Sequence, residues 1–188
     1  YSHIHFTSDL DEVLNDPLVK LVVVCTHADS HFEYAKKALE AGKNVLVEKP
    51  FTPTLEEAKT LFALANSKGL TVTPYQNRRF DSCFLTTKKV IESGKLGELV
   101  EIESHFDNYR PLAETNPGGP QNGEFYGLGV HTLDQIISLF GRPDHVSYDL
   151  RSLRNKANPD DTFEAQLFYG DMKAIVKTSH LVQIDYPK

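Results

Sequence analysis

Tryptophan is absent from this chain, methionine occurs once, and cysteine occurs twice in 188 residues. The two cysteines, Cys25 and Cys83, stand far apart without the paired spacing of a thiolate site, which excludes a disulfide framework or zinc ribbon. Cys25 sits inside an apolar run and is expected as a reduced, buried thiol, while Cys83 carries no signature of an activated nucleophile. No apolar run approaches the roughly 20 residues of a membrane span. Positive charge is scarce too: 20 Lys and Arg against 26 Asp and Glu give a net charge of −6. Neither nucleic acid nor a membrane is therefore expected as a partner. The first residues lack the basic start and apolar stretch of a secretory leader, and the reduced thiol expected at Cys25 points to a cytoplasmic location. His3 and His5 could share a strand face, but no third or fourth ligand accompanies them, and no metal site is expected. Also missing is a glycine-rich G-x-G-x-x-G turn. Its nearest likeness, Gly127-Leu128-Gly129, lies inside a helical pattern.

What is present is organised around Asn44-Val45-Leu46-Val47-Glu48-Lys49-Pro50. Val45 to Val47 read as a buried strand, and Pro50, with no N–H to donate, ends its ladder. A strand thus delivers a carboxylate and an ammonium to its C-terminal end, the edge where open α/β sheets bind ligands. Upstream, Ser2 to Phe6 read as the tail of a strand and Ser8 as the cap of a short helix. Leu21 to Cys25 read as a strand covered on both faces. A helix follows over His31 to Ala41, with Gly42 as its stop. Thr54-Leu55-Glu56-Glu57 is a capping box, opening a helix that buries Ala58, Leu61, Phe62 and Ala65. Leu70 to Tyr75 is a further strand. Alternating strands and helices over the first eighty residues imply a parallel, doubly wound, Rossmann-like sheet.

The second half differs. Asp81 is placed to cap a helix over Ser82 to Ser93. Leu99 to Asn108 alternates as an antiparallel strand with one covered face should. Arg110 to Gly123 is a long loop of the kind that is often functional. Phe125 to Phe140 reads as one helix, and Val146 to Leu153, Thr162 to Tyr169 and Met172 to Leu181 as strands, the last two joined by a hairpin at Gly170-Asp171. The expected fold is α/β: a partial Rossmann-like domain over 1–80, without its first βαβ unit, then a partial α+β substrate and dimerisation domain over 81–188 with a mainly antiparallel sheet.

Three ordered motifs, Gly42 to Pro50, Asn77-Arg78-Arg79-Phe80-Asp81 and Gly129-Val130-His131-Thr132-Leu133-Asp134, resemble those of the glucose-fructose oxidoreductase, inositol dehydrogenase and rhizopine-catabolism family, Gfo/Idh/MocA. The resemblance covers essentially the whole chain and implies a fragment, lacking the family's first βαβ unit of about 50 residues and its C-terminal third. It implies NAD or NADP as cofactor, and oxidation of a secondary alcohol on a sugar, polyol or related small molecule. It places Lys49 beside the nicotinamide and the substrate hydroxyl as a catalytic residue, with His131 as its helper and Arg78 by the cofactor. It also implies a homo-oligomer, paired through the outer face of the antiparallel sheet. One departure stands out: the family commonly carries an aspartate four residues before the motif histidine, where this chain has Gly127.

A lysine serves as base when desolvation or a nearby cation tunes it down. Glu48 and Lys49 point to opposite strand faces, so Glu48 either meets the cofactor ribose or braces the loop. Thr26, His27 and His31 follow the preceding strand and are expected near the cofactor. Asp134, three residues after His131, shares its helix face and is a candidate substrate contact, as are Asn108 and Arg110 beside the long loop. Arg79 is expected to pair with an acid. Gly127 motivates an alternative reading, a catalytically altered member that binds a cofactor or ligand, or regulates, without turnover. A third reading uses the cofactor for transient oxidation during elimination or hydrolysis.

Overall fold

The computed structural model describes residues 3–113, 115 and 118–183, and the chain divides into two compact units, Tyr1–Tyr75 and Gln76–Lys188. In the first unit the elements run α1 (Leu10–Asn15), β1 (Leu21–Val24), α2 (His31–Glu40), β2 (Asn44–Val47), α3 (Leu55–Ser67) and β3 (Val72–Pro74). The strands form a parallel sheet in the order β1-β2-β3, with Val22 opposite Val45 and Val45 opposite Val72. Helices α2 and α3 lie on one face, because successive crossovers that step the same way across a sheet return on the same side. Val24, Val45, Val47 and Val72 point to that face and pack with Ala35, Leu39, Leu61 and Ala65 as the core. Asn44 ties the N-terminal edge together: its Nδ2 donates to the Lys20 carbonyl at 3.1 Å and its Oδ1 accepts from Thr71 N at 2.9 Å.

Local signals explain the helix boundaries. Thr54 and Glu57 form the expected reciprocal capping box. Gly42, at φ +79°, ends α2; Gly42 N bonds Leu39 O and Lys43 N bonds Ala38 O, the pairing that lets the chain reverse into β2. Four details depart from the sequence expectation. Residues 3–6 form no strand; His5 is bonded instead to Glu12 on α1 at 2.8 Å, and Ser2 lies outside the described residues. The cap of α1 is Asp9, whose carboxylate accepts from Asp11 N, rather than Ser8. Only one face of β1 is covered, leaving Leu21 and Val23 about half exposed at 53% and 51%, because it is an edge strand with helices on one side. Cys25 follows β1 rather than lying in it, and both cysteines are exposed.

The second unit contains a 3-10 turn (Asn77–Phe80), α4 (Ser82–Glu92), β4 (Glu101–His105), a second 3-10 turn (Pro120–Asn122), a π-helical turn (Phe125–Gly129), α5 (Val130–Phe140), β5 (His145–Arg151), β6 (Thr162–Tyr169) and β7 (Met172–Ser179). Its sheet runs β4-β7-β6-β5 and is mixed: β5, β6 and β7 are antiparallel, while β4 pairs with β7 in parallel. The expectation that β4 is antiparallel is therefore corrected. The chain leaves β4, returns through α5 and starts again at the far edge, so the third strand of the meander arrives beside β4 in the same direction. One helix over Phe125 to Phe140 also gives way to two segments, since Phe125–Gly129 widens into a π turn. Ile136, Phe163, Ala165, Leu167, Ala174 and Val176 form the core, with Phe125 and Leu133 packed against it. Gly129 permits that packing, because a Cβ there would lie 3.0 Å from the Phe163 ring. The expected end of the sheet at Asp185 to Lys188 lies outside the described residues. No helix among the described residues is long and apolar enough to cross a membrane.

Candidate active site

In the first unit the parallel ladder runs past the strands themselves: Glu48 N bonds Val24 O at 2.9 Å and Tyr75 N bonds Val47 O at 2.7 Å. This fixes where β2 releases Glu48 and Lys49, both half-buried, before the Lys49–Pro50 bond, which is cis. The Glu48 carboxylate turns back to accept from Lys49 N at 3.1 Å, a local brace on the loop. The loop after β1 is held by Ser30, whose hydroxyl lies 2.7 Å from Thr26 Oγ1 and 2.8 Å from His27 O. Thr26 and His27 are exposed beyond the strand end. His27 lies 3.6 Å from Asp29, but both side chains are well solvated, so that pair fixes little.

His31 behaves differently from a surface cofactor contact. Only 1% of its surface is exposed; Nδ1 lies 2.8 Å from Pro50 O and Nε2 3.0 Å from Thr26 O. With both ring nitrogens committed to backbone, His31 joins the loop after β1 to the loop after β2. His31, expected near the cofactor, is seen here as a buried positioning group between the two loops of that edge.

In the second unit Arg78 donates to Asp81 at 3.0 Å and stacks over the Phe106 ring at 4.6 Å, while its carbonyl accepts from Gln135 at 2.8 Å. Asp81, expected as the cap of α4, makes no side-chain cap bond because its carboxylate is spent on Arg78. Arg79 does pair with an acid, and the acid is Asp134: Nε and Nη2 reach its two oxygens at 2.7 Å each. That bond raises the Arg79 pKa above its ordinary value. His131 is buried near the start of α5, at 5% exposure. Asn108 and Arg110 run alongside the end of β7 and the residue after it, their amides bonded to Ser179 O and His180 O.

Five residues of this unit went unnoticed in the sequence. Arg154 and Asp161 form a buried pair at 3.1 Å, and Arg154 also donates to the carbonyls of Arg110 and Leu112 at 3.0 Å each. His180 and Glu124 form another pair at 3.0 Å. The Asp160 carboxyl accepts from Phe125 N at 2.7 Å, and burial first, then the neighbouring Glu124 charge, pushes it above the usual carboxylate range despite that amide. The adjacent acids Asp160-Asp161 are a visible signal, but the partner of Asp160 lies 35 residues away, and that of Asp161 seven residues away across an irregular loop.

The residues present fit the nicotinamide half of a dinucleotide. A hydroxyl, an imidazole, a carboxylate and an ammonium stand at one edge of a parallel sheet. No glycine-rich phosphate turn occurs in these 188 residues, so the pyrophosphate is assigned to none of them. Among the described residues no group of three His, Cys, Asp or Glu is arranged to hold a metal.

Comparison with known proteins agrees with this geometry. Residues 1–76 match the model of the oxidoreductase family with an NAD-binding Rossmann fold, and residues 84–188 match the GFO/IDH/MocA C-terminal domain. The oxidoreductase YhhX of Escherichia coli (strain K12) is 89% identical over all 188 residues, which cover 54% of it. The scyllo-inositol 2-dehydrogenase (NADP(+)) IolW of Bacillus subtilis (strain 168) is 37% identical over 183 residues, 96% of this chain and 51% of that protein. A crystal structure of an oxidoreductase from Bacillus cereus, 51% identical, superposes with a TM-score of 0.93 over 97% of this chain and 53% of its own. The chain thus spans about half the length of the curated relatives it matches. It belongs to the GFO/IDH/MocA family of oxidoreductases, whose first domain is an NAD-binding Rossmann fold.

Proposed function

We propose that the full-length protein is an NAD- or NADP-dependent dehydrogenase of a secondary alcohol on a polyol, sugar or similar small molecule. The observation that carries this reading is the placement of Lys49 at the C-terminal end of β2, in a loop that His31 fixes to Thr26 and Pro50. The 37% identical inositol dehydrogenase supports the substrate class. When bound, the nicotinamide supplies a hydride acceptor for the carbinol carbon. Lys49 accepts the hydroxyl proton, and His131 passes it on. Thr26, His27, Glu48 and Arg78 contact the cofactor or hold the loops that do. Asp134, aimed by Arg79, binds substrate with Asn108 and Arg110. The protein works in the cytoplasm as a homo-oligomer; Val146, Tyr148 and Leu150, exposed at alternate positions of β5, support a partnered sheet face. The test presents full-length protein with a panel of polyols and sugars and either oxidised cofactor, and follows absorbance of the reduced form. Turnover on one class is expected, and no turnover on any would end this reading. Gly127 favours a second one, cofactor binding without oxidation, which tight binding together with that blank panel would establish.

A further inference from the structure

Arg110 is exposed, yet both polar groups of its backbone are held by buried framework. Its N donates to His180 O at 2.8 Å, and His180 N in turn donates to Asp161 O at 3.1 Å, just before β6 begins. The Arg110 carbonyl accepts from Arg154 Nη1 at 3.0 Å, and the same Nη1 reaches Leu112 O, also at 3.0 Å. Arg154 is itself anchored: its Nε donates to Asp161 Oδ2 at 3.1 Å, and the two side chains are only 5% and 3% exposed. Asp161 also accepts from the amides of Leu153 and Arg154 at 2.9 Å each and from the Thr162 hydroxyl at 3.2 Å. Its own N donates to Arg151 O at the end of β5. Between the two held carbonyls stands Pro111, which fixes its own φ and biases Arg110 toward extended backbone.

A surface turn needs no buried charge to satisfy its carbonyls, since water does so. Burying a guanidinium and a carboxylate is costly, and an apolar pair of the same size is often at least as stable. What the ion pair adds is geometry. One planar guanidinium meets a carboxylate and two carbonyls at once, which a lysine ammonium, with its single nitrogen, does not. We infer that Arg154, anchored by Asp161, is a positioning residue for the segment Asn108 to Leu112, fixing the backbone from which Asn108 and Arg110 reach a ligand. The use of this segment for substrate rests on the function proposed above; the fixing of the segment does not. Arg154 acts on recognition rather than on the chemical step, so its loss is read in KM and not in kcat.

The test uses full-length protein and follows amide hydrogen exchange in Arg154→Lys and Arg154→Met. Arg154→Lys keeps a charge beside Asp161 but loses the fork, and it decides the matter if Arg154→Met does not fold. In both variants the amides of Asn108 to Ala113 are expected to exchange about tenfold faster or more, while those of Thr162 to Tyr169 in β6 stay within about threefold of wild type. Unchanged exchange at Asn108 to Ala113, or an equal increase in β6, would overturn the inference. Where an oxidisable alcohol is found, Arg154→Lys should raise KM about tenfold with kcat within about threefold, and a fall in kcat at unchanged KM would also overturn it. A blank alcohol panel with the localised change in exchange would remove the proposed oxidation and leave Arg154 as the group that fixes this segment.

Discussion

His31 Nδ1 lies 2.8 Å from the carbonyl oxygen of Pro50, nineteen positions later in the chain, and its Nε2 reaches Thr26 O as well. One buried ring thereby sets the separation of two loops at the ligand edge. His31→Ala leaves two carbonyls without that partner and opens a cavity, at a cost of about 2–4 kcal/mol. In the full-length protein a lower Tm and a cofactor Kd weakened about tenfold are expected, measured by thermal unfolding and fluorescence titration.

Three glycines near the start of α5 should respond in graded fashion. A Cβ at Gly123 would sit 2.0 Å from Asp160 Oδ1 and 3.2 Å from Asp160 N, so Gly123→Ala is expected to cost about 1–3 kcal/mol. At Gly129 the Phe163 ring is 3.0 Å away, and a smaller loss is expected as that ring shifts. At Gly127 a Cβ would meet only the Glu124 carboxylate at 3.7 Å, an ordinary contact, so Gly127→Ala should be neutral, or stabilising by up to about 1 kcal/mol. Urea unfolding of the three variants ranks them.

Asp160 and Asp161 are neighbours with opposite pH behaviour. Burial raises Asp161, but the amides of Leu153 and Arg154, the Arg154 guanidinium and the Thr162 hydroxyl outweigh it and hold the carboxylate below its usual range. Its stability contribution is therefore present above the unfolded value of about 3.9 and is lost as pH falls through the lower folded value. Asp160, raised mainly by burial, contributes below about 3.9 and loses that contribution as pH rises through its elevated value. Unfolding between pH 3 and pH 8 should show Asp161→Asn costing about 3–5 kcal/mol at neutral pH, with the Arg154 charge left buried without its carboxylate, and less in acid. Asp160→Asn should help at neutral pH and lose its advantage in acid.

The fork between Arg79 and Asp134 is half-solvated on the arginine side, at 48% exposure. A double-mutant cycle on Arg79→Ala and Asp134→Ala is expected to give about 1 kcal/mol of coupling, reduced by added salt.

Much of this was legible because it is local. The capping box at Thr54, the glycine stop at Gly42 and the hairpin at Gly170 are set by residues within a few positions of one another, and the sequence reading found each. The run Asn44 to Pro50 was likewise read as a strand ending in an acid and a base. What escaped depends on distant partners. Nothing near Glu101 to His105 says that the neighbouring strand will be β7 and parallel. His31 was read from its helix-terminal position, yet Pro50 decides its role. Asp134 was read as a substrate contact, and the expected acid for Arg79 proved to be that same residue, 55 positions away. The covered-strand pattern at Leu21 to Cys25 misled for another reason: an apolar run reports what a strand can bury, and β1 buries only one face.

The central assignment is Lys49 as the group that takes the hydroxyl proton. The direct measurement is kcat and cofactor Kd for full-length wild type and Lys49→Ala on the best alcohol of the panel. A loss in kcat of about a hundredfold or more, with cofactor Kd within about threefold, is the expected result. Full turnover in Lys49→Ala would refute the assignment.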